Sequence, residues 1–566
     1  MHDLVIRHGA VADGLGGPLV AADVAVDGDR IVAVGDVSTR GREELDAAGL
    51  VVTPGFVDPH THYDGQATWD PLLTPSAWHG VTTVIMGNCG VGFAPAAPDR
   101  RDWLIGLMEG VEDIPGAALR EAIRWDWESV GEYLDALERL PRAVDVGVQI
   151  AHGAVRAYVM GERGAANEEP TSDDLAHMGA VVRAGIAAGA VGFSTNRLPL
   201  HKAVDGRAVP GTFAGEEELW TLGRAVADGS SSGDAVFSLI LPTATGFDVD
   251  AWPRELDWMA RLSTETGLRF TFAFGSLERL PDVDRANASG ARLVPQTGCR
   301  RQGLLIGLRT RHPFEGRPSF NALAGLPVAE QARRMADPAT KARILADTQE
   351  PGWSRLAQMI IGDADVLFPL DGPHAQEPSP TASMAALAGR LGRSVEDVVY
   401  DAITADGGDP LLMYFFGGYP KGCLDDALPL MRHPTTVLGL GDGGAHVSMI
   451  CDAGYPTFLL GYWVRDRAGA RLTLEEAVRL LTSGPAGLYG LRDRGVVAPG
   501  RKADLNVIDV DRIGLRWPEV VHDLPAGAKR VIQRADGYAA TVVAGEVIQR
   551  DGEDTGARPG AVLRGR

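Results

Sequence analysis

Eight short apolar runs, separated by helical stretches, constrain this chain more than any other feature. They fall at 51–57, 81–86 (VTTVIM), 144–151 (VDVGVQIA), 189–194 (GAVGFS), 236–241 (VFSLIL), 268–274 (LRFTFAF), 291–297 (ARLVPQT) and 436–441 (TVLGLG). Runs that are nearly continuous in apolar residues suit strands covered on both faces, as in a parallel sheet. The stretches TSDDLAHMGAVVRAGIAAG, EEELWTLGRAVADG and PRELDWMARLSTETG, which fall between runs, are helical in pattern. Strand and helix alternating eight times predict an α/β fold, a (β/α)8 barrel of the TIM type.

Two other regions break this rhythm. The first fifty residues are β-rich, with a hairpin signal at Asp27-Gly28-Asp29, and the last seventy resemble them, with a turn at Ala544-Gly545. We expect a small β-sandwich domain built from both termini, 1–50 and 498–566, around a barrel over 51–497. Between the seventh and eighth runs lie about 135 residues, far more than a plain loop. LPVAEQARRMADPATKARILADT and SVEDVVYDAI within them read as helices, the second opening at Ser394 with Asp397 placed as in a capping box. This predicts a helical insertion over about 300–435, a lid over the barrel mouth or a peripheral decoration. A capped amphipathic helix is expected from Thr473.

The formal charge of −21 argues against nucleic acid or an anionic membrane as partner. No run approaches the roughly 20 apolar residues of a membrane helix. The start carries no basic segment followed by a long apolar stretch, so no signal peptide is expected. The four cysteines, Cys89, Cys299, Cys423 and Cys451, form no CxxC pair and no disulfide framework. A cytoplasmic protein is the simplest expectation. A homo-oligomer is left open.

Barrel enzymes place reacting groups at the C-terminal ends of their strands. Read that way, the runs offer His60 and His62, then Asn88 and Cys89, then His152, then Ser194 and Asn196, and last Asp442 with His446. Histidines at i and i+2 on an extended segment point the same way and can reach one ion. Imidazole suits zinc, and also iron, nickel or copper. Cys89 is a metal thiolate or a small buried residue in a Gly-rich turn. Asp442 is an acid/base beside a metal-activated water or a turn cap. His152 and His446 are ligands, hydrogen-bond donors behind the ligands, or packed histidines. Arg300 and Arg301, just past the seventh run, are candidates to clamp a substrate carboxylate, against surface solvation.

The motifs VVTPGFVDPHTHYDG, GVTTVIMGNCGVGFAP, LMEGVEDIP, GAVGFST, LGLGDGGAH and APGRKADLNVID resemble the amidohydrolase superfamily, and more narrowly its N-acyl-D-amino-acid deacylase branch. The resemblance implies a metal-dependent barrel that hydrolyses the amide of an N-acylated D-amino acid, a C–N bond other than a peptide bond. It makes His60, His62 and Cys89 metal-site residues and Asp442 the catalytic acid/base. The branch draws metal histidines from its fifth and sixth strands. Here those strands run into VFSLILPTATG and RFTFAFGSLERL, with only Thr243, Thr245 and Ser276 as nearby polar side chains.

The expectation is therefore one ion, zinc or another divalent metal, held by His60, His62 and Asp442 with or without Cys89. Metal-bound hydroxide would attack the carbonyl and Asp442 would protonate the leaving nitrogen. A tight ligand and a free base are competing roles for Asp442. The substrate is expected to be a small, carboxylate-bearing molecule, with His152, Asn196, Arg301 and His446 as candidate contacts. Two alternatives stand beside this: a lactone, carbamate or cyclic imide hydrolase, or a decarboxylase, on the same barrel; and a lapsed enzyme kept as a binding or assembly protein.

Overall fold

The computed structural model describes every residue except 244–246, 351–353, 373–376, 420 and 566, with backbone alone at 354–356. Thr245 thus lies outside the described residues. Each of the eight apolar runs overlaps a strand of one parallel sheet: Phe56–Asp58, Val81–Met86, Asp145–Ala151, Gly192–Asn196, Val236–Ile240, Arg269–Ala273, Leu293–Thr297 and Val437–Leu438. They are neighbours in chain order. Most are buried along their whole length, which is why they read as unbroken apolar runs. Helices such as Ser172–Ala187, Glu216–Gly229 and Trp252–Thr266 connect them.

The sheet curls until its ends meet. A parallel bridge joins Thr61 to Gly443, just beyond the first and eighth strands. The amide of His62 donates to Gly443 O at 2.7 Å, and that of Asp442 to His60 O at 3.1 Å. These bonds belong to the backbone and bring residues almost 400 positions apart to one place.

The run 51–57 serves two sheets. Val51–Pro54 pairs antiparallel with Leu505–Ile508 and parallel with His2–Val11, whereas Phe56–Asp58 opens the curled sheet. The chain changes sheets at Gly55, where a Cβ would come 2.2 Å from Thr82 Oγ1. Both halves are apolar, so the pattern hides the break. Strands from the two ends of the chain share one nine-stranded sheet, running from Glu553–Asp554 across Val51–Pro54 and His2–Val11 to Arg30–Gly35. The two hairpins expected at Gly28 and Gly545 are present.

The insertion is not purely helical, as the sequence suggested. Gly303–Ile306, Leu412–Phe415 and Leu367–Pro369 form an antiparallel sheet with Leu412–Phe415 at its centre. Helices Val328–Met335, Pro338–Ala346 and Val395–Thr404 pack around an apolar core that includes Phe314, Ile344, Leu367 and Tyr400. Strands of three or four residues carry too little periodicity to stand out between helices. Ser394 Oγ accepts from the amide of Asp397, but the Asp397 carboxylate turns to Arg393 and Lys341. At Thr473 both arms of the capping box form, with Glu476 as partner. No helix among the described residues is long and apolar enough to cross a membrane.

His79, just before the second strand of the curled sheet, ties that region to the C-terminal segment. One ring nitrogen donates to Gln533 O at 2.9 Å and the other lies 2.8 Å from Thr457 Oγ1. Burial holds its pKa down at about 4, and Arg300 adds to that shift while the bond to Gln533 opposes it. The unfolded chain takes up this proton near pH 6.5 and the folded one near 4. The contribution of neutral His79 is therefore present above 6.5 and lost as pH falls toward 4. His79→Gln should be less stable than the parent at pH 7.5 in urea unfolding. That gap should narrow by about 2 kcal/mol by pH 5. A gap independent of pH would contradict the assignment.

Candidate active site

The mouth of the curled sheet gathers side chains from four strand ends. His60 and His62 flank Thr61, whose amide and hydroxyl both bond to Ile85 O. That anchoring keeps the segment extended, and the two rings stand on one side with centroids 5.3 Å apart. Cys89 occupies the turn after the second strand at a left-handed φ of 54°. Its Sγ lies 3.6 Å from His60 Nε2. One donor atom each from His60, His62 and Cys89 falls within a 4.8 Å span. The other polar candidates brace this turn. Asn88 donates to Thr61 O and Ile85 O, Ser194 Oγ accepts from the Gly90 amide, and Asn196 donates to Cys89 O.

Asp442 completes the group. Its Oδ1 lies 3.4 Å from His60 Nε2 and 3.8 Å from His62 Nε2. Its Oδ2 accepts from Gln302 Nε2 at 2.8 Å. Leu440, Asp442 and His446 all hold positive φ, 64°, 48° and 48°. Such conformations cost energy in non-glycine residues and persist where surrounding structure enforces them. For Asp442 the backbone bonds that join it and Gly443 to His60 and His62 supply that enforcement, and for His446 the bond from its amide to Glu112 O.

Two residues absent from the sequence candidates lie close by. Glu112 ends the helix Arg101–Glu112 with Oε1 3.2 Å from His62 Nδ1 and Oε2 3.6 Å from His446 Nε2. His201 meets Asn196 across a 2.7 Å hydrogen bond. The signal for Glu112 was a carboxylate directly following the stretch LMEGV, in LMEGVEDIP. For His201 it was a histidine five residues past Asn196 in a region otherwise without one.

Not every candidate joins the group. His152 is fully buried with one ring nitrogen 2.8 Å from Thr195 Oγ1 and the other 3.0 Å from Glu218 Oε1, so neither is free for a ligand. Arg156 also pairs with Glu218. Arg301 pairs with Asp426 at 2.6 Å, and Arg300 with Asp452 at 2.7 Å. His446 remains a quarter exposed. No histidine occurs in the chain between His201 and His312, so the fifth and sixth strands offer none.

The electrostatics are those of a site short of positive charge. Burial pushes Asp58 up to about 8 and Asp64 to about 7, and raises Glu112 well above the usual carboxylate range, with Asp442 adding to the shifts of Asp58 and Glu112. Burial lowers His60 and His62, leaving neutral imidazoles with a free lone pair, and raises the Cys89 thiol. Among the described residues, none of Asp58, Asp64, Glu112 and Asp442 pairs with a lysine or arginine. His62 Nδ1 and Glu112 Oε1 are buried without a hydrogen-bond partner. Neutral nitrogen donors and a thiol with Asp442 and Glu112 beside them, neither paired with a lysine or arginine, fit a divalent cation, which would also favour the thiolate.

The chain resembles known proteins over nearly its full length. It is 27% identical over 571 residues to a D-aminoacylase of Alcaligenes xylosoxydans xylosoxydans, covering 99% of this chain and 97% of that one. An N-acyl-D-glutamate deacylase of the same organism is 28% identical over 538 residues, covering 90% and 88%. A crystal structure of D-aminoacylase superposes with a TM-score of 0.65 at 25% identity, covering both chains completely. The family model described as the amidohydrolase family matches residues 43–549, a span that takes in every residue of the cluster at the mouth of the sheet. The chain belongs to the amidohydrolase family.

Proposed function

We propose that the protein is a zinc-dependent hydrolase of N-acyl-D-amino acids. The observation that carries the reading is the convergence of His60, His62, Cys89 and Asp442 at the mouth of the curled sheet. Support for the substrate class comes from the relatives, whose names describe deacylases of D-amino acids. We take the curled sheet with its helices as a complete (β/α)8 barrel and the nine-stranded sheet as the β-sandwich domain.

His60, His62 and Cys89 would hold the ion, a nitrogen and sulfur donor set suited to zinc. Zinc, when bound, polarises a carbonyl oxygen and lowers the pKa of water. With no histidine on the fifth and sixth strands, this donor set serves one ion. Asp442 stays outside the tight ligands. Gln302 fixes its Oδ2, so Oδ1 alone faces the histidines. That oxygen takes a proton from the attacking water and returns it to the amide nitrogen as the C–N bond breaks, releasing an amine and a carboxylate.

His446 is the side chain we assign to the substrate, because it is partly exposed beside the cluster. Asn196 supports the Cys89 turn, and Arg301 is engaged by Asp426. The insertion reaches the site through Gln302, which supports a role as lid or selector.

The test is a substrate panel with protein of measured zinc content. Release of free amine from N-acyl-D-amino acids, abolished by a chelator and restored by zinc, is the expected result. Hydrolysis of lactones or cyclic imides without amide cleavage would move the assignment to another reaction. Inertness of the zinc-loaded protein toward the whole panel would point to a binding protein.

A further inference from the structure

The helix Arg101–Glu112 ends on a carboxylate that the reaction above does not use. Glu112 is 1% exposed and points between two histidines, His62 and His446. Its backbone carbonyl accepts the amide of His446. The next residue, Asp113, ends the helix at a φ of 55°, takes a hydrogen bond from Ser448 and pairs with Arg311. The helix end is thus tied to the segment that follows the eighth strand, and the carboxylate is held where it stands.

A neutral imidazole carries its proton on one nitrogen, and the other nitrogen is the ligand. Which one is set by the hydrogen bond the ring makes on its far side. On His62, Nδ1 faces Glu112 at 3.2 Å, while Nε2 faces Asp442 Oδ1 at 3.8 Å. Both atoms are buried and neither makes a hydrogen bond to any residue, so the 3.2 Å approach is a close contact not yet aligned as a hydrogen bond.

We propose that Glu112 is a positioning residue that accepts the Nδ1 proton of His62, thereby turning the Nε2 lone pair toward the metal cluster and holding His446 beside it. The proposal rests on the reading of His62 as a zinc ligand. Without the acceptor, the ring loses its preferred tautomer and orientation, and zinc affinity should fall by about 10–100-fold.

The test uses the full chain and three proteins: parent, Glu112→Ala and Glu112→Gln. Zinc affinity is read by competition with a chromophoric chelator, and the protonated nitrogen of His62 by 15N spectra of the histidine-labelled, zinc-loaded parent. The alanine variant should bind zinc about 10–100-fold more weakly with unchanged circular dichroism. The glutamine variant, whose Oε1 still accepts from Nδ1, should recover most of that loss. The parent spectrum should show His62 protonated at Nδ1. Parental affinity in Glu112→Ala, no recovery in Glu112→Gln, or a proton on Nε2 would each overturn the proposal; the spectrum needs no variant to fold. A parent that takes up no zinc overturns it together with the zinc site. A parent that binds zinc tightly beside an equally tight Glu112→Ala overturns the role of Glu112 alone.

Discussion

Asp442→Asn should lower kcat by about 10³-fold, inside the range that positioned acid–base groups contribute, and leave KM within a few-fold of the parent. Asparagine keeps the shape of the side chain and an oxygen that can accept from Gln302, as Oδ2 does at 2.8 Å. What it removes is the basic oxygen 3.4 Å from His60 Nε2. The backbone tie from Asp442 N to His60 O is untouched, so the strand ends should stay together. Loss of kcat without loss of zinc identifies a proton carrier. Loss of zinc alongside would mean that Asp442 is chiefly a ligand. Turnover within tenfold of the parent would remove it from the mechanism. Steady-state kinetics on a chromogenic N-acyl substrate, paired with zinc analysis of the same preparation, separates the three.

The second large effect is expected from His60→Ala. Its ring stands 3.6 Å from Cys89 Sγ and 3.4 Å from Asp442 Oδ1, central to the cluster. Removing it takes away a ligand and leaves Asp442 and the Cys89 thiol facing an apolar gap. Zinc content should fall far below one per chain, and kcat should drop by at least about 10³-fold, because the reaction loses both Lewis acid and activated water. The fold should survive. His60 closes the sheet through its carbonyl, which alanine retains, and the amide of His62 still reaches Gly443 O. Circular dichroism and a thermal midpoint near the parental value are the controls. A fully active His60→Ala would exclude the metal site as drawn.

Much of this architecture was legible in the chain because of where its strands lie. A strand covered on both faces has no solvent side to alternate with, so it leaves an unbroken apolar run, as Val81–Met86 does. His60 and His62 could be paired for a related reason, since side chains two apart on an extended segment share a face. The insertion's sheet was hidden because Leu367–Pro369 is only three residues long. The change of sheet at Gly55 was hidden because both sides of it are buried.

The site divides along the same line. His152 carries the same local signal as His446, a histidine just past a strand end. Only packing shows that Thr195 and Glu218 occupy both nitrogens of the first, while the second stays partly open. Gln302 gave no local sign of its role, and Glu112 only that of a carboxylate following LMEGV. Each lies beside a residue that follows the neighbouring strand, Glu112 50 positions from His62 and Gln302 140 from Asp442, and only the packing of the connecting segments sets those distances. By itself the sequence determined the eight strands, the histidine pair and the aspartate at the last strand end, because periodicity and strand order are local properties of a chain. The tertiary structure alone decided which carboxylates surround that pair, since closing the sheet brings Asp442 and the packing of a connecting helix brings Glu112, at distances that no spacing along the chain encodes.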